Sequence, residues 1–272
     1  MPLVSYALTD VGLRRSHNED SYCADDGLGL YLVADGMGGH AAGEIASLTA
    51  VEIIQDFVAR AQNDRDMTWP YGIDGSLSGN ENIILSAVKA ANQHICRLAL
   101  DKPELNGMGT TVAGVRISED GASIFNVGDS RVYRIRDNTI TQLTTDHSWV
   151  NEQLQRRMIT EEEARTHRWK NVITRALGNK ASIDVDLKTV GIEDGDMLII
   201  CTDGLSSLIA DEAMLETLNA YADLEQACQE LVIRANAAGG HDNITVVLIH
   251  YTRTPALKDP APAPQALEDS NA

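Results

Sequence analysis

Residues 30–34 form a continuous apolar run that stops on Asp35 and breaks into Gly36-Met37-Gly38-Gly39-His40. A short unbroken run bounded by turn formers predicts a buried strand, here one delivering a single carboxylate to its carboxyl end. The same grammar recurs at 198–202 before Asp203-Gly204, and inverted at Gly239-Gly240-His241-Asp242-Asn243 before the apolar segment 244–248. Any one of these aspartates is equally well explained as a turn former. Three together point to one cluster.

Elsewhere the hydrophobic period alternates between strand and helix. Strands are predicted over 4–9, 22–24 and 28–34, the last two joined by Asp25-Asp26-Gly27, whose glycine supplies the positive φ of a tight hairpin. Between the first two lies a polar loop carrying Arg14, Arg15, Glu19 and Asp20. Ile45, Leu48, Val51, Ile54 and Val58 recur at three- and four-residue steps, which predicts a helix over 41–61 with one apolar stripe. A loop over 63–80 leads to a second helix over 81–100 with Ile84, Val88, Ala91, Ile95 and Leu98 on one face. Four β segments follow at 110–117, 123–127, 131–136 and 139–143, with Asp137-Asn138 as a two-residue turn. Such a meander implies antiparallel sheets. Strands at 185–190 and 196–202, joined by Glu193-Asp194-Gly195, precede helices over 211–221 and 224–238 and a closing strand over 244–251.

Between these β regions, residues 149–178 are helix-prone, with a capping box at Thr160-Glu161-Glu162-Glu163 and a mildly basic balance. The stretch reads either as a solvated helical excursion or as a mobile flap beside an anionic substrate. From residue 253 the chain is rich in proline and alanine, so the domain is expected to span 1–252 and the tail 253–272 to be disordered.

A formal net charge of −18 argues against nucleic acid and anionic membrane surfaces as partners. Cys23, Cys96, Cys201 and Cys228 lack a close pair, so reduced core thiols are expected. The amino terminus has no signal-peptide character and no run approaches the ~20 apolar residues of a membrane span. A cytoplasmic location follows. No glycine-rich nucleotide fingerprint is present.

Hard divalent cations such as Mg²⁺ and Mn²⁺ take oxygen ligands, and two of them about 4 Å apart raise the acidity of a shared water. Asp35, Asp203 and Asp242, with Glu19 or Asp20 nearby, supply such a donor set. His40, His147 and His241 lack zinc-ligand spacing. A phosphate substrate also calls for a planar guanidinium, available from Arg14 or Arg15 in the same loop.

Asp10-x-Gly12-x-x-Arg15-x-x-Asn18-Glu19-Asp20, Asp35-Gly36-Met37-Gly38-Gly39-His40, Gly109-Thr110-Thr111, Gly128-Asp129-Ser130-Arg131, Thr202-Asp203-Gly204 and Gly240-His241-Asp242-Asn243 occur in sequence order. Together they resemble the metal-dependent serine/threonine protein phosphatases of the 2C class in their compact bacterial form, over about residues 3–250. The resemblance implies an α+β fold, a central sandwich of two antiparallel sheets flanked by pairs of helices. It implies Mn²⁺ or Mg²⁺, two ions and a third weaker one, with Asp35 bridging, Gly36 donating its carbonyl, and Asp203 and Asp242 completing the set. Glu19 and Asp20 would act directly or through water, Asp129 would hold the third ion with Asp203, and Asn171 would join that site. The 149–178 stretch matches the family's flap.

On this basis Arg15 is expected to hold the phosphate while a water bridging the ions attacks phosphorus in line, without a phosphoenzyme. His40 is the candidate general acid because histidine titrates near neutrality. In the family's eukaryotic members histidine follows Asp-Gly directly, whereas here Met37 does, and a metal-bound water or a helix-start role for His40 are the alternatives. Expected partners are phosphorylated proteins and a serine/threonine kinase counterpart, acted on by a monomer. A noncatalytic phosphoprotein-binding module and a two-metal phosphodiesterase are the competing readings.

Overall fold

The computed structural model describes residues 3–38, 42–64 and 67–252, apart from the side chain of Arg165. In chain order the strands are β1 (Leu3–Asp10), β2 (Asp20–Asp25), β3 (Leu30–Met37), β4 (Gly109–Thr110), β5 (Val112–Ser118), β6 (Gly121–Val127), β7 (Arg131–Arg136), β8 (Thr139–Gln142), β9 (Asp186–Val190), β10 (Met197–Cys201) and β11 (Ile244–Tyr251). The helices are α1 (Ala42–Asn63), α2 (Gly79–Asp101), α3 (Trp149–Gln155), α4 (Glu161–Thr166), α5 (Asp203–Ser206), α6 (Asp211–Ala220) and α7 (Leu224–Ala237). One sheet runs β1-β11-β10-β7-β8 and the other β2-β3-β5-β6-β9, with β4 beside β3. Every pairing is antiparallel.

The sheets stack face to face and a helix pair covers each outer face, giving the expected α-β-β-α sandwich. Strand β3 shows why its sequence is apolar throughout: Leu30 and Leu32 pack toward α1 and α2, while Tyr31 and Val33 pack into the space between the sheets. Both faces are buried, so there is no polar alternation. On the opposite side Ile199 and Leu248 join Met214 and Leu231 beneath α6 and α7. Cys23, Cys201 and Cys228 are buried free thiols, and Cys96 is half-buried and free.

Local chemistry agrees with much of the patterning. Asp137 and Asn138 both take positive φ, 49° and 56°, as a two-residue hairpin turn requires. Thr160 and Glu163 form the reciprocal capping box that starts α4. Three local expectations are corrected. The left-handed glycine of the β2–β3 turn is Gly29 at φ 61°, not Gly27. Leu48 is 47% exposed, and the buried face of α1 uses Ala42, Ala46 and Ala50 instead; alanines let the helix lie close to the sheet where leucine would hold it off. Helix α2 begins at Gly79, earlier than its apolar period suggests, because Ser78 and Glu81 cap each other's backbone.

Among the described residues no helix is long and apolar enough to cross a membrane. Residues 39–41, including His40, and the tail from 253 lie outside the described residues.

Candidate active site

The acidic residues converge on one end of the sandwich because the strands deliver them there. Asp20 opens β2 and is the direct cross-strand partner of Asp35 on β3. Asp203 follows β10 as the first residue of the short helix α5, which the sequence did not foretell. Asp242 stands in the loop entering β11, the strand hydrogen-bonded to β10.

Backbone contacts fix the polar loop over this end. The Glu19 carbonyl accepts from Gly36 N at 3.1 Å and from Ser47 Oγ at 2.6 Å. Asn243 Oδ1 accepts from Glu19 N at 2.8 Å, while its Nδ2 donates to the carbonyls of Val11 and His17, each at 2.9 Å. One amide thus closes the loop onto β11. Gly36 is needed for close approach: a Cβ there would lie 2.1 Å from the Gly43 carbonyl oxygen.

Burial then sets the electrostatics. Asp20 is pushed up to about 7, first by burial, although the hydroxyls of Thr245 and Thr202 donate to its Oδ2 at 2.7 and 2.9 Å. Burial, followed by the charges of Asp20, Asp203, Asp129 and Asp242, drives Asp35 well above the usual carboxylate range. Asp203 is raised to about 6 by burial and then by Asp242, and Asp129 to about 7 by burial and then by Asp203 and Asp146. Glu19 is raised as well, chiefly by burial, against the pull of Arg15. Burial of this kind favours a proton or a bound cation over an unpaired carboxylate charge.

Arg15 is a half-exposed basic group at this end. Its Nη2 donates to Asp242 Oδ2 at 2.6 Å, and its Nη1 lies 4.0 Å from Glu19 Oε2. The side chain is 46% exposed, so one side of the guanidinium faces solvent. No hydrogen bond joins Asn171, which is exposed in the 149–178 segment, to Asp129 or Asp203 among the described residues. The supporting groups Thr202, Thr245 and Asn243 carry no assignment from the sequence; their signal is polarity inside otherwise apolar strand-end segments.

The donor set suits a hard divalent cation. Glu19 Oε1, Asp20 Oδ1, Asp129 Oδ1 and Asp203 Oδ1 are buried without a hydrogen-bond partner, and carboxylate oxygens are the ligands that Mg²⁺ and Mn²⁺ prefer. No three acidic or histidine side chains form a ready-made metal cage among the described residues. Arg15 Nη2 occupies Asp242 Oδ2.

Buried oxygen donors and a guanidinium at one end of a four-layer sandwich are the equipment of a metal-dependent phosphoric-ester hydrolase. Comparison with known proteins narrows the class: residues 14–246 match the model of the family described as Protein phosphatase 2C. The chain belongs to that family. It is 36% identical over 248 residues to serine/threonine phosphatase stp of Listeria welshimeri, covering 89% of this chain and 93% of that protein. It is 37% identical over 245 residues to protein phosphatase PhpP of Streptococcus pneumoniae, covering 89% and 95%. Among solved structures, the Mycobacterium tuberculosis serine/threonine phosphatase PstP/Ppp aligns with a TM-score of 0.80 at 35% identity, over 92% of this chain and 99% of that one. A PstP catalytic domain in complex with two manganese ions aligns with a TM-score of 0.76 at 32% identity, over 92% and 99%.

Proposed function

We propose that this chain is a protein serine/threonine phosphatase that hydrolyses phosphoserine and phosphothreonine monoesters with the help of two divalent ions, Mn²⁺ or Mg²⁺. The observation that carries the reading is the group of four buried, unpartnered carboxylate oxygens beside a half-exposed arginine. The relatives named as serine/threonine phosphatases and the two-manganese neighbour support it.

Asp35, the Gly36 carbonyl, Asp203 and Asp242 would hold the two ions, with Glu19 and Asp20 engaging them directly or through water. Asp20 has only Oδ1 to offer, since Oδ2 is taken by two hydroxyls. Asp129 and Asp203 would hold a third ion, and Asn171 is assigned to the same site as an added ligand. Bound ions supply Lewis acidity at the phosphoryl oxygens and an activated water for in-line attack. Arg15 orients the phosphate through its solvent-facing nitrogens, which requires it to share or leave Asp242. No side chain need become phosphorylated. His40 is assigned to proton delivery to the departing alkoxide.

Residues 1–252 form the catalytic domain, 149–178 its flap, and 253–272 an appended tail. The enzyme acts as a cytoplasmic monomer opposite a serine/threonine kinase. The test is an assay of purified protein on a phosphothreonine peptide, p-nitrophenyl phosphate and a phosphodiester, each with Mn²⁺ and with chelator. Mn²⁺-dependent monoesterase activity, lost in Asp203→Ala, is expected; activity confined to the diester, or undiminished in Asp203→Ala, overturns the reading.

A further inference from the structure

His147, buried at 6% exposure just ahead of the flap, grips a single residue from two sides. Its backbone N–H donates to the Gly128 carbonyl at 2.8 Å, and its Nδ1 accepts from the Gly128 N–H at 3.0 Å. The Gly128 turn cannot stabilise itself with a side chain: its φ is 116°, and a Cβ there would lie 2.6 Å from Thr111. The next residue is Asp129, whose Oδ1 is buried and unpartnered.

The far side of the imidazole is also anchored. Nε2 lies 3.2 Å from Asp186 Oδ2 on β9, near enough for attraction though without good hydrogen-bond alignment. Asp186 Oδ1 in turn accepts from Arg175 Nη1 at 2.6 Å, at the end of the flap. The His147 carbonyl accepts from Thr174 N at 2.8 Å. Since Nδ1 accepts a hydrogen bond, the ring proton sits on Nε2, facing Asp186. Burial, which keeps the ring below the usual histidine range, favours that neutral form.

We propose that neutral His147 is a positioning residue for Asp129: it fixes the Gly128 peptide, and so the aim of the Asp129 carboxylate toward a divalent cation, while tying that turn to the flap through Asp186 and Arg175. The proposal rests on the reading of Asp129 as a cation-binding carboxylate. A group that orients a ligand from behind typically tunes metal affinity by about 10- to 100-fold.

The test is Mn²⁺ calorimetry on the full chain for wild type, Asp129→Ala, His147→Leu and His147→Asn. Asparagine keeps an acceptor for the Gly128 N–H; leucine does not. His147→Leu is expected to weaken the Asp129-dependent binding event by about tenfold or more, and His147→Asn to recover most of that loss. A merely structural role would lower the unfolding midpoint of both variants without the asparagine rescue. If Asp129→Ala loses the event and His147→Leu keeps it, the proposal alone fails; if Asp129→Ala changes nothing, the reading beneath it fails and takes the proposal with it. Imidazole ¹⁵N spectra of the wild-type protein provide a check that needs no variant to fold. A protonated Nδ1 overturns the proposal, and an unprotonated, hydrogen-bonded Nδ1 is the expected result.

Discussion

Arg15 and Asp242, 227 positions apart in the chain, meet through a 2.6 Å contact between Nη2 and Oδ2. A guanidinium proposed for phosphate is thus bonded to a carboxylate proposed for metal. Replacing Arg15 by alanine is expected to lower kcat/KM on a phosphothreonine peptide by about 10- to 100-fold, the worth of one or two charge-assisted hydrogen bonds. Arg15→Lys falls between, because it keeps charge but loses the planar fork. Steady-state kinetics measures both, and an unchanged kcat/KM removes Arg15 from the site.

The cross-strand pair Asp20 and Asp35 is expected to make the metal-free protein sensitive to alkali. A carboxyl raised in the folded state contributes stability that is fully present below its unfolded value, and loses it as pH rises through its folded value. For Asp20 that window runs from 3.8 to about 7. The unfolding midpoint of chelator-treated protein is expected to fall between pH 5 and pH 8, and to fall less in Asp20→Asn. Mn²⁺ should raise the midpoint more at pH 8, where fewer protons have to be displaced. Thermal scans at the two pH values, with and without metal, decide it; a wild-type midpoint that rises toward pH 8 without metal contradicts the assignment.

Gly204 sets the spacing between two of the acidic loops. A Cβ at this position would lie 1.9 Å from the Asn243 carbonyl oxygen, too close for any side chain without backbone movement. Gly204→Ala is expected to cost about 1–3 kcal/mol in urea unfolding and to weaken Mn²⁺ binding by separating Asp203 from Asp242. Stability and affinity matching wild type would show that the loops move apart freely.

Arg116 lies remote from this chemistry. It is 7% exposed, its Nε and Nη1 have no partner, and burial lowers its pKa. An unpaired buried charge is better replaced by an apolar chain of similar length, so Arg116→Met is expected to raise stability by about 1 kcal/mol and leave catalysis unchanged. A lower unfolding midpoint would reveal that the aliphatic stem and the third nitrogen contribute more than the buried charge costs.

How much of this was legible in the sequence depended on the range of the interaction. Strand β3 was readable because burial on both faces leaves an unbroken apolar run, and the Asp137-Asn138 turn because its φ requirement is local. The stripe of α1 misled at Leu48, since close helix–sheet contact selects alanine and a hydrophobicity pattern does not weigh size. The hydroxyls that hold Asp20 come from residues 182 and 225 positions away, and no local period encodes such a pairing. The aspartates were visible as a recurring motif; the Asn243 and His147 contacts that orient the loop and the Asp129 turn became visible only in three dimensions.

The pairing of β1 with β11 joins the first described strand to the last. During synthesis at about 5–20 residues per second, the 234 positions between Asp10 and Ile244 delay that pairing by roughly ten to fifty seconds. Until then Asp242 and Asn243 have not joined the loop bearing Arg15 and Glu19, and the five-stranded sheet lacks the strand between β1 and β10. If the proposed site is the working one, a nascent chain is without phosphatase chemistry until β11 is in place. Activity during translation would report completed domains alone.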